Sequence, residues 1–371
     1  MKRKFLVLLS VLIMASLVIV GCGKKDNNEE KTAEENTQTE TAENTEENNE
    51  EENKDTQNFE GKTLNVVATS DSYVPLFDKF TEQTGAKVEF LSMSSGEVIS
   101  RTKAEGKPMA DLWFGGGLDA FMAARDDGLL ENYTSDVTAT VPEEYKDKDG
   151  AYISKGITVV GFIVNDAILE EKGLEAPKTW KDLADPKYEH LVIMSNPAIS
   201  GTNYAALKGL LDIYGEEEGW KIFEGINNNI DFYSKRGKDP QEKTVQGEFA
   251  IGIIPADKKA FDAAKDNNLT VIYPEDGVCW VPEGVAIFKG SENVDVAKAF
   301  IDFMLSEDAQ KMIAEIDGKD SNQLIVPGIE GFDLGLPKDR LVKEDLSTFG
   351  SDRERILEKF NEISKGKTED K

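Results

Sequence analysis

Two short motifs, each built from hydroxyl residues and a glycine, contain the residues of this sequence that are best suited to bind a ligand. They read Ser94-Ser95-Gly96 and Ser200-Gly201-Thr202, and each stands at the start of a segment with helical apolar spacing. The first N–H groups of a helix have no partner inside it, and the helix dipole adds partial positive charge there. A glycine lets a ligand oxygen approach this main chain. The pattern predicts two anion-binding helix ends, although an ordinary N-cap is the alternative for either motif alone.

Other residues could complete such a site. Gly115 and Gly116 follow a predicted strand and precede a helix, where backbone N–H groups form either an anion-binding nest or a tight turn. Lys235 and Arg236 belong to a basic stretch that could bind phosphate oxygens or lie in a solvated loop. The remaining candidates are the hydroxyl of Ser70, the rings of Tyr233 and Trp280, and the carboxylates of Asp257 and Glu283, which could pair with a ligand ammonium group.

Metal and catalytic chemistry have few candidate residues. The chain has a single histidine, His190, and no pair of adjacent tyrosines, so we expect no metal site and no cofactor. It contains no Gly-x-Ser-x-Gly, His-Glu-x-x-His, Walker or Cys-x-x-Cys motif. Cys279 is the one candidate nucleophile, and a buried apolar role is the alternative for it. We therefore expect no catalytic residue and no enzymatic activity.

The N-terminus has the pattern of an export signal. Three basic residues precede an apolar run from Phe5 to Val20, and the sequence Ile-Val-Gly-Cys ends at Cys22. The run is too short to favour a permanent transmembrane helix. It resembles a bacterial lipobox, which implies a signal peptide over 1–21 and acylation of Cys22. An ordinary signal peptide and an uncleaved helix are the alternatives.

A highly acidic segment follows this signal. Residues 26–58 contain thirteen Asp or Glu and two Lys, with almost no apolar side chains. Such a segment cannot bury enough surface to offset its ordering entropy. The sequence therefore predicts that residues 22–60 are an acylated cysteine and a disordered tether on the outer face of a membrane, most simply that of a Gram-positive cell.

The elements that must position the candidate residues alternate between strand and helix from Thr63 onward. This βαβαβα series predicts a parallel sheet covered by helices, and ligands of such sheets bind beyond the carboxyl ends of the strands. A second αβ series lies between two apolar strands at 157–164 and 284–288. We therefore predict an α/β fold with two lobes and a hinge. The predicted boundaries are 61–157 plus 279–325 for lobe 1, 158–278 for lobe 2, and 326–366 for a helical segment packed on one lobe.

The net charge restricts the classes of partner. The chain has a formal charge of −28, and most of it lies on the predicted globular part. Nucleic-acid binding depends largely on lysine and arginine, so this class is excluded. An anionic ligand would have to be bound by local groups.

A family resemblance follows from four segments of the sequence. They are Asp111-Leu112-Trp113-Phe114-Gly115-Gly116, Thr179-Trp180-Lys181-Asp182-Leu183, Asp185-Pro186-Lys187-Tyr188 and the run from Ser195 to Thr202. Together, behind a lipobox, they resemble the bacterial extracellular solute-binding proteins of ABC importers, in the group that binds ferric iron, thiamine and organophosphates. The resemblance implies the two-lobed type 2 periplasmic-binding-protein fold, a ligand held between the lobes, and delivery to a permease driven by an ATPase.

The expected function is that of a monomeric substrate-binding subunit. Its partners would be a small-molecule solute, an ABC permease and ATPase, and the membrane, which it would reach through the lipid on Cys22. The two helix ends favour an organophosphate or phosphonate anion as the solute. A ferric-iron or thiamine-binding member of the family is one alternative, and an enzyme of the same fold with Cys279 as nucleophile is another.

Overall fold

The computed structural model describes residues 58–367. The predicted signal peptide, Cys22 and residues 23–57 of the predicted tether lie outside the described residues. Within 58–367 the strands are β1 Thr63–Ala68, β2 Lys87–Ser92, β3 Leu112–Gly117, β4 Leu130–Glu131, β5 Ile153–Val164, β6 Val192–Ser195, β7 Ile230–Ser234, β8 Ile251–Pro255, β9 Thr270–Ile272 and β10 Trp280–Phe288.

Helices alternate with these strands. The α-helices are α1 Val74–Thr84, α2 Ser95–Glu105, α3 Leu118–Asp126, α4 Asp136–Ala139, α5 Asp166–Glu171, α6 Gly201–Tyr214, α7 Glu216–Asn229, α8 Asp239–Val245, α9 Lys258–Asn267, α10 Val294–Met304, α11 Glu307–Asp317, α12 Leu346–Phe349 and α13 Arg353–Ser364. Short 3-10 helices cover Asp71–Tyr73, Glu143–Tyr145, Asp182–Ala184, Pro186–Tyr188, Ser321–Gln323 and Lys338–Arg340.

The first lobe is built on strands β2, β1, β3 and β10. Strand β1 pairs in parallel with both β2 and β3, and β10 pairs with β3 in the antiparallel direction. Helices α1, α10 and α11 cover one face of this sheet, where Phe80 and Phe300 meet edge to face with ring centroids 5.1 Å apart. The alternating sequence from Thr63 therefore forms the parallel unit that its periodicity predicts.

The second lobe is built on strands β8, β6 and β7. Strand β6 pairs in parallel with β7 and β8, and helices α6 and α7 pack on each other and on these strands. Residues 180–183 form no α-helix and contain only the start of a 3-10 turn at Asp182–Ala184. The Asp182 carboxylate accepts hydrogen bonds from the N–H groups of Lys178 and Thr179, and these local bonds compete with a longer helix.

Two long strands connect the lobes. The first part of β5 pairs with β10, while its last five residues pair with β8 of the second lobe. The pairing of β5 with β10 changes register between Pro282 and Gly284, so a bulge lies at Glu283. A bulge locally interrupts the ladder and bends a strand, and this one lies where the chain passes between the lobes.

The C-terminal segment contacts both lobes, although the sequence predicts packing on one. Helix α13 packs on α7, and α12 packs on α3. The apolar side chains Ile356, Leu357 and Phe360 of α13 are buried, at the helical spacing that the sequence shows. Among residues 58–367 no helix is long and apolar enough to cross a membrane.

Candidate functional site

A cavity of about 490 Å³ lies where the carboxyl ends of the parallel strands of both lobes converge. Its walls are formed by the residues that follow β1, β2 and β3 of the first lobe and β6, β7 and β8 of the second. This is the position at which open α/β sheets bind ligands, because the loops there are free to present side chains and backbone N–H groups.

The N-terminus of α2 forms part of the first-lobe wall. Ser94 and Ser95 line the cavity, and the N–H of Ser94 donates to the Glu97 carboxylate over 3.1 Å. The Ser95 hydroxyl makes no hydrogen bond to the described part of the chain, although only 3% of the residue is exposed. Gly96 is not part of the wall, because its N–H donates to the carbonyl of Ile199 over 3.1 Å. The hydroxyl and N–H of Ser95 are therefore the groups of this helix end that remain open to a ligand.

The N-terminus of α6 forms the opposing wall with Ser200, Gly201 and Thr202. Ser200 is the N-cap, and its Oγ accepts from the Asn203 N–H over 3.4 Å. The N–H groups of Gly201 and Thr202 lie in the first turn and have no acceptor within the helix. The Thr202 hydroxyl likewise has no hydrogen-bond partner within 58–367. This helix end can therefore offer two amides and a hydroxyl to an anion.

A glycine turn at the end of β3, just before α3, completes this part of the cavity. Gly115 and Gly116 have φ of 86° and 98°, a backbone region that residues with a side chain rarely adopt. Gly116 lines the cavity, whereas Gly115 lies behind it against the Thr69 side chain. The two glycines therefore form the tight turn that is one of the two alternatives for them, and Gly116 also borders the cavity.

Basic side chains approach the cavity from the second lobe. Arg236 lines it, and within 58–367 its guanidinium has neither an ion pair nor a hydrogen bond. Lys259 lines it from the start of α9 and donates to the Ser72 hydroxyl over 3.3 Å. Lys235 is exposed and lies outside the wall, so the expectation that both members of the Lys235–Arg236 pair face a ligand is wrong for Lys235.

A buried cluster of charges lies beneath the cavity. The Glu283 carboxylate accepts from Lys319 Nζ over 2.7 Å and from Lys155 Nζ over 3.1 Å. Lys155 also pairs with Asp317, whose other oxygen accepts from the Tyr73 hydroxyl over 2.7 Å. Burial would raise the pKa of Glu283, but the two lysines outweigh it and hold the pKa at about 2. Glu283 lines the cavity as expected, yet its charge is already balanced by protein cations, so it is not a free partner for a ligand ammonium group.

Asp257 and Ser70 also line the cavity, and both cap a helix start. The Asp257 carboxylate accepts from the Ala260 N–H over 2.9 Å at the start of α9, and Ser70 Oγ accepts from the Ser72 N–H over 3.1 Å. Burial raises the pKa of Asp257 to about 6, against the opposing effects of the Ala260 N–H and Lys319. Asp257 therefore has the higher pKa of the two cavity carboxylates that the sequence singled out.

Two predicted aromatic ligand contacts lie outside the cavity. Tyr233 is 1% exposed and donates its hydroxyl to Asn227 over 2.8 Å, while its ring packs on Phe360. Trp280 donates its Nε1–H to the carbonyl of Val342 over 2.8 Å. Both rings are held by the C-terminal part of the chain, and the sequence does not indicate which lobe this part contacts. The expectation that they face the ligand is therefore wrong.

The two residues weighed for metal binding and catalysis also lie away from the cavity. His190 is exposed, pairs with Asp231, and has a positive φ of 65° in its turn. Cys279 is fully buried beside α6, and burial, together with the negative charge of Glu344, raises the pKa of its thiol well above the usual value. Within 58–367 no group of three or more His, Cys, Asp or Glu side chains is arranged to hold a metal ion.

Several residues of the cavity wall and of the charge cluster beneath it are not predicted by the sequence. Lys319, Asp317 and Lys155 come from separate elements that meet only in the folded chain, so no local motif indicates them. Lys238 and Lys259 carried a weak signal, because both stand next to a helix start that follows a strand of the second lobe.

Comparison with known proteins places this chain among proteins that bind small solutes. The model of the family described as "Bacterial extracellular solute-binding protein" matches residues 107–327. A protein of Haemophilus influenzae is 33% identical over 239 residues, which are 63% of this chain and 69% of the relative. The phosphoglycerate transport regulatory protein PgtC of Salmonella typhimurium is 29% identical over 50% of this chain, and the match spans only 46% of that relative.

Two further proteins, one relative and one solved structure, are similar to this chain. The iron uptake protein A1 of Synechocystis is 27% identical over 65% of this chain and 69% of its own length. The solved structure of the periplasmic binding protein AfuA of Actinobacillus pleuropneumoniae, with fructose-6-phosphate bound, superimposes with a TM-score of 0.76 at 28% identity. It covers 82% of this chain and 99% of AfuA. The predicted two-lobed periplasmic-binding-protein fold is thus confirmed, and this family implies capture of a solute outside the cytoplasm and its delivery to an ABC transporter. The chain belongs to the bacterial extracellular solute-binding proteins.

Proposed function

We propose that this protein is the lipid-anchored, monomeric solute-binding subunit of an ABC importer and that its solute is an organic phosphate or phosphonate. The observation that carries the proposal is the convergence of two helix N-termini, one from each lobe, on the same cavity. Ser95 on one side, and Gly201 and Thr202 on the other, offer N–H and hydroxyl groups that the protein itself leaves unbonded.

The charge around these helix ends supports an anion. Arg236 and Lys259 border the cavity, and neither side chain is neutralised by a carboxylate within the described residues. An arginine can bind two phosphate oxygens at once, with a geometry that a lysine cannot reproduce. Because the whole protein is strongly acidic, these local groups have to supply the attraction.

The size of the cavity supports an organic solute rather than a bare phosphate ion. Its volume of about 490 Å³ lies in the range of small-molecule sites, roughly 300–1,000 Å³. Beyond the helix ends the wall carries Thr158, Asp257 and Lys319. These groups can hydrogen-bond the hydroxyl or amine substituents of an organic phosphate. AfuA with its sugar phosphate, and the phosphoglycerate protein, give this choice further support.

The ferric-iron alternative has less support from the cavity. Phenolate oxygen is a hard ligand suited to ferric ion, and Tyr73 is the one tyrosine in the cavity wall of the described chain. Its hydroxyl already donates to Asp317, and burial together with the charge of Asp317 raises its pKa well above the usual value. A thiamine site would need aromatic stacking, which this wall offers only through the same ring.

The enzyme alternative depends on Cys279 as the nucleophile, and the position of this residue disfavours catalysis. The thiolate is the reactive form of cysteine, whereas burial favours the neutral thiol here. The Cys279 sulfur lies 3.8 Å from the carbonyl of Ala206 and does not line the cavity. We therefore propose binding without turnover.

Capture would proceed by closure of the lobes about β5 and β10. We propose the predicted boundaries, 61–157 plus 279–325 and 158–278, as the two moving bodies. A ligand that bonds both helix ends stabilises the closed state, because the open state separates these groups.

The lipid anchor is tested by palmitate labelling of cells that express the wild type or Cys22→Ala. The label should be present in the first and absent in the second.

A thermal-shift screen tests the solute class. Hexose 6-phosphates, glycerol 3-phosphate, 2-aminoethylphosphonate, thiamine and ferric citrate are compared, each phosphate ester alongside its parent alcohol. At a concentration one hundred times Kd, a ligand specific for the folded state adds about 2.7 kcal/mol to its stability. We expect a shift with at least one ester or phosphonate and none with the alcohols. A shift with ferric citrate alone would overturn the proposed class.

A further inference from the structure

The C-terminal segment is anchored to the second lobe. The Phe360 ring of α13 packs against Phe223 and Tyr233, with centroids 5.9 and 5.0 Å away. Just before this helix, Phe349 packs edge to face on Tyr204 at 5.2 Å, and its carbonyl accepts from the Tyr204 hydroxyl over 2.9 Å. All these partners lie on α6, α7 and β7, so the segment is held firmly on this side.

The same segment reaches the first lobe through Arg353. Its Nε donates to the Asp119 carboxylate on α3 over 2.7 Å, and its Nη2 donates to the carbonyl of Ala198 over 3.1 Å. Asp119 follows the glycine turn of the first-lobe wall, and Ala198 precedes the helix end of the second-lobe wall. One guanidinium therefore joins the two chain segments that face each other across the cavity.

The main chains of the two lobes are in direct contact at this seam. The Gly96 N–H donates to Ile199, and a Cβ atom at residue 96 would lie 2.0 Å from the Ala198 oxygen. A Cβ atom at residue 201 would lie 2.6 Å from the Cα of Gly117. This contact exists only while the two helix ends face one another, so any group that holds the seam together also holds the cavity closed.

The Asp119–Arg353 pair is buried at this seam. Their side chains are 1% and 15% exposed, and Asp119 Oδ1 has no hydrogen-bond partner in the described chain. Burial raises the pKa of Asp119, and the charge of Arg353 opposes this effect. Removal of the arginine would leave a buried carboxylate without its cation, and separation of the lobes would let water reach it.

We propose that Arg353 is a positioning residue for solute capture: paired with Asp119, it stabilises the closed arrangement of the two helix ends without contacting the solute. This inference rests on the proposed function insofar as those ends are taken to clasp the solute. The pair adds to closure in the ligand-free protein and so raises affinity for whatever solute the cavity takes.

Amide hydrogen exchange in the ligand-free, full-length protein tests this directly. The Gly96 N–H lies in the first turn of α2, so its protection depends on Ile199 across the seam. We expect Arg353→Gln to speed its exchange by about tenfold or more, while amides of β1 and α7 keep their protection. Asp119→Asn should act in the same direction, and Arg353→Lys, which can keep one of the two bonds, should give an intermediate rate.

A matched control lies on the same helix. Arg355 is half-exposed and pairs with Glu216 and Asp352, away from the first lobe, so Arg355→Gln should leave Gly96 exchange unchanged. Equal Gly96 exchange in the wild type, Arg353→Gln and Arg353→Lys would overturn the proposal. If Arg353→Gln loses its fold, the rates of Asp119→Asn and Arg353→Lys decide in the same way. No ligand is present, so a wrong solute class cannot produce either result.

Discussion

Two groups of cations lie in the wall of the same cavity or beneath it, and they differ in whether carboxylates of the protein neutralise them. Lys319 lies on the cavity wall and Lys155 beneath it, where Glu283 and Asp317 balance their charges. Arg236 and Lys259 stand on its wall without a carboxylate partner among the described residues. A buried charge without a partner is costly, so the first group serves to neutralise Glu283 and Asp317 in the folded protein. The second group is free to pair with a solute.

The carboxylates show the same contrast. Glu283, held by two lysines, has a pKa of about 2, whereas burial raises the pKa of Asp257 to about 6. Proximity to the cavity alone therefore does not identify a ligand-binding residue. Within the described chain Arg236 and Lys259 remain unpaired on the wall, and together with the open helix ends they favour an anion even though Asp257 also borders the cavity.

Removal of a paired cation should have the largest effect. We expect Lys155→Met to lower the free energy of unfolding by about 3–5 kcal/mol, because it leaves Asp317 and Glu283 buried without their shared cation. Urea unfolding measures this change. The control is Lys311→Met, which removes an exposed pair with Glu307 and should leave the stability almost unchanged. Equal stability of the two variants would break the comparison.

Removal of an unpaired cation should affect binding instead of folding. We expect Arg236→Gln to weaken binding of the organic phosphate that shifts the wild type by about ten- to a hundredfold, the range of a charge-assisted hydrogen bond. The melting temperature without ligand should stay the same. Lys235→Gln is the control, because this neighbouring side chain lies outside the cavity wall. Calorimetric titration measures the affinity of each variant for the phosphate. Equal affinities of Arg236→Gln and Lys235→Gln would contradict the assignment of Arg236 as a ligand-binding residue.

Asp257 gives a prediction about pH. Its pKa is raised in the folded state, so ionisation destabilises the protein above pH 6, and this penalty disappears as the pH falls toward 4. Asparagine can still cap α9. We expect Asp257→Asn to gain about 3 kcal/mol at pH 7.5, about 1 kcal/mol at pH 4.5 and almost nothing at pH 3.5. At Asp345, hydrogen bonds from Ser347 lower the pKa, so Asp345→Asn should show no such gain. A pH-independent difference for Asp257→Asn would refute this account.

The hydroxyls of the helix ends should have the smallest separate effects. Ser95→Ala and Thr202→Ala should each weaken binding of the same phosphate by about fivefold, since each removes one neutral hydrogen bond worth about 1 kcal/mol. Ser100→Ala is the control, because the Ser100 hydroxyl already donates to the Gly96 carbonyl one turn along α2. Normal binding by both Ser95→Ala and Thr202→Ala would show that the paired helix ends do not hold the solute.

The sequence predicts local features of this molecule well and long-range ones poorly. The alternating strands and helices predict the two-lobed α/β fold, which the comparison with AfuA confirms. The motifs at Ser95 and Gly201 mark helix starts because a cap is a local device, and the fold brings both to one cavity.

Residues that meet only through tertiary contacts could not be predicted in this way. Lys155 is the one charged residue of β5, and its partner Asp317 stands far along the chain at the end of α11. The orientations of Tyr233 and Trp280 depend on the C-terminal segment, whose path between the lobes no local pattern reveals.

Backbone amide shifts in a titration with the organic phosphate found by the thermal screen test the central claim most directly. Hydrogen bonds from N–H groups to a phosphate should move the amide proton resonances of Ser95, Gly201 and Thr202 downfield together, at a single affinity. The parent alcohol should leave them unmoved. Saturable binding that moves none of these three amides would contradict the claim that opposed helix ends hold the solute.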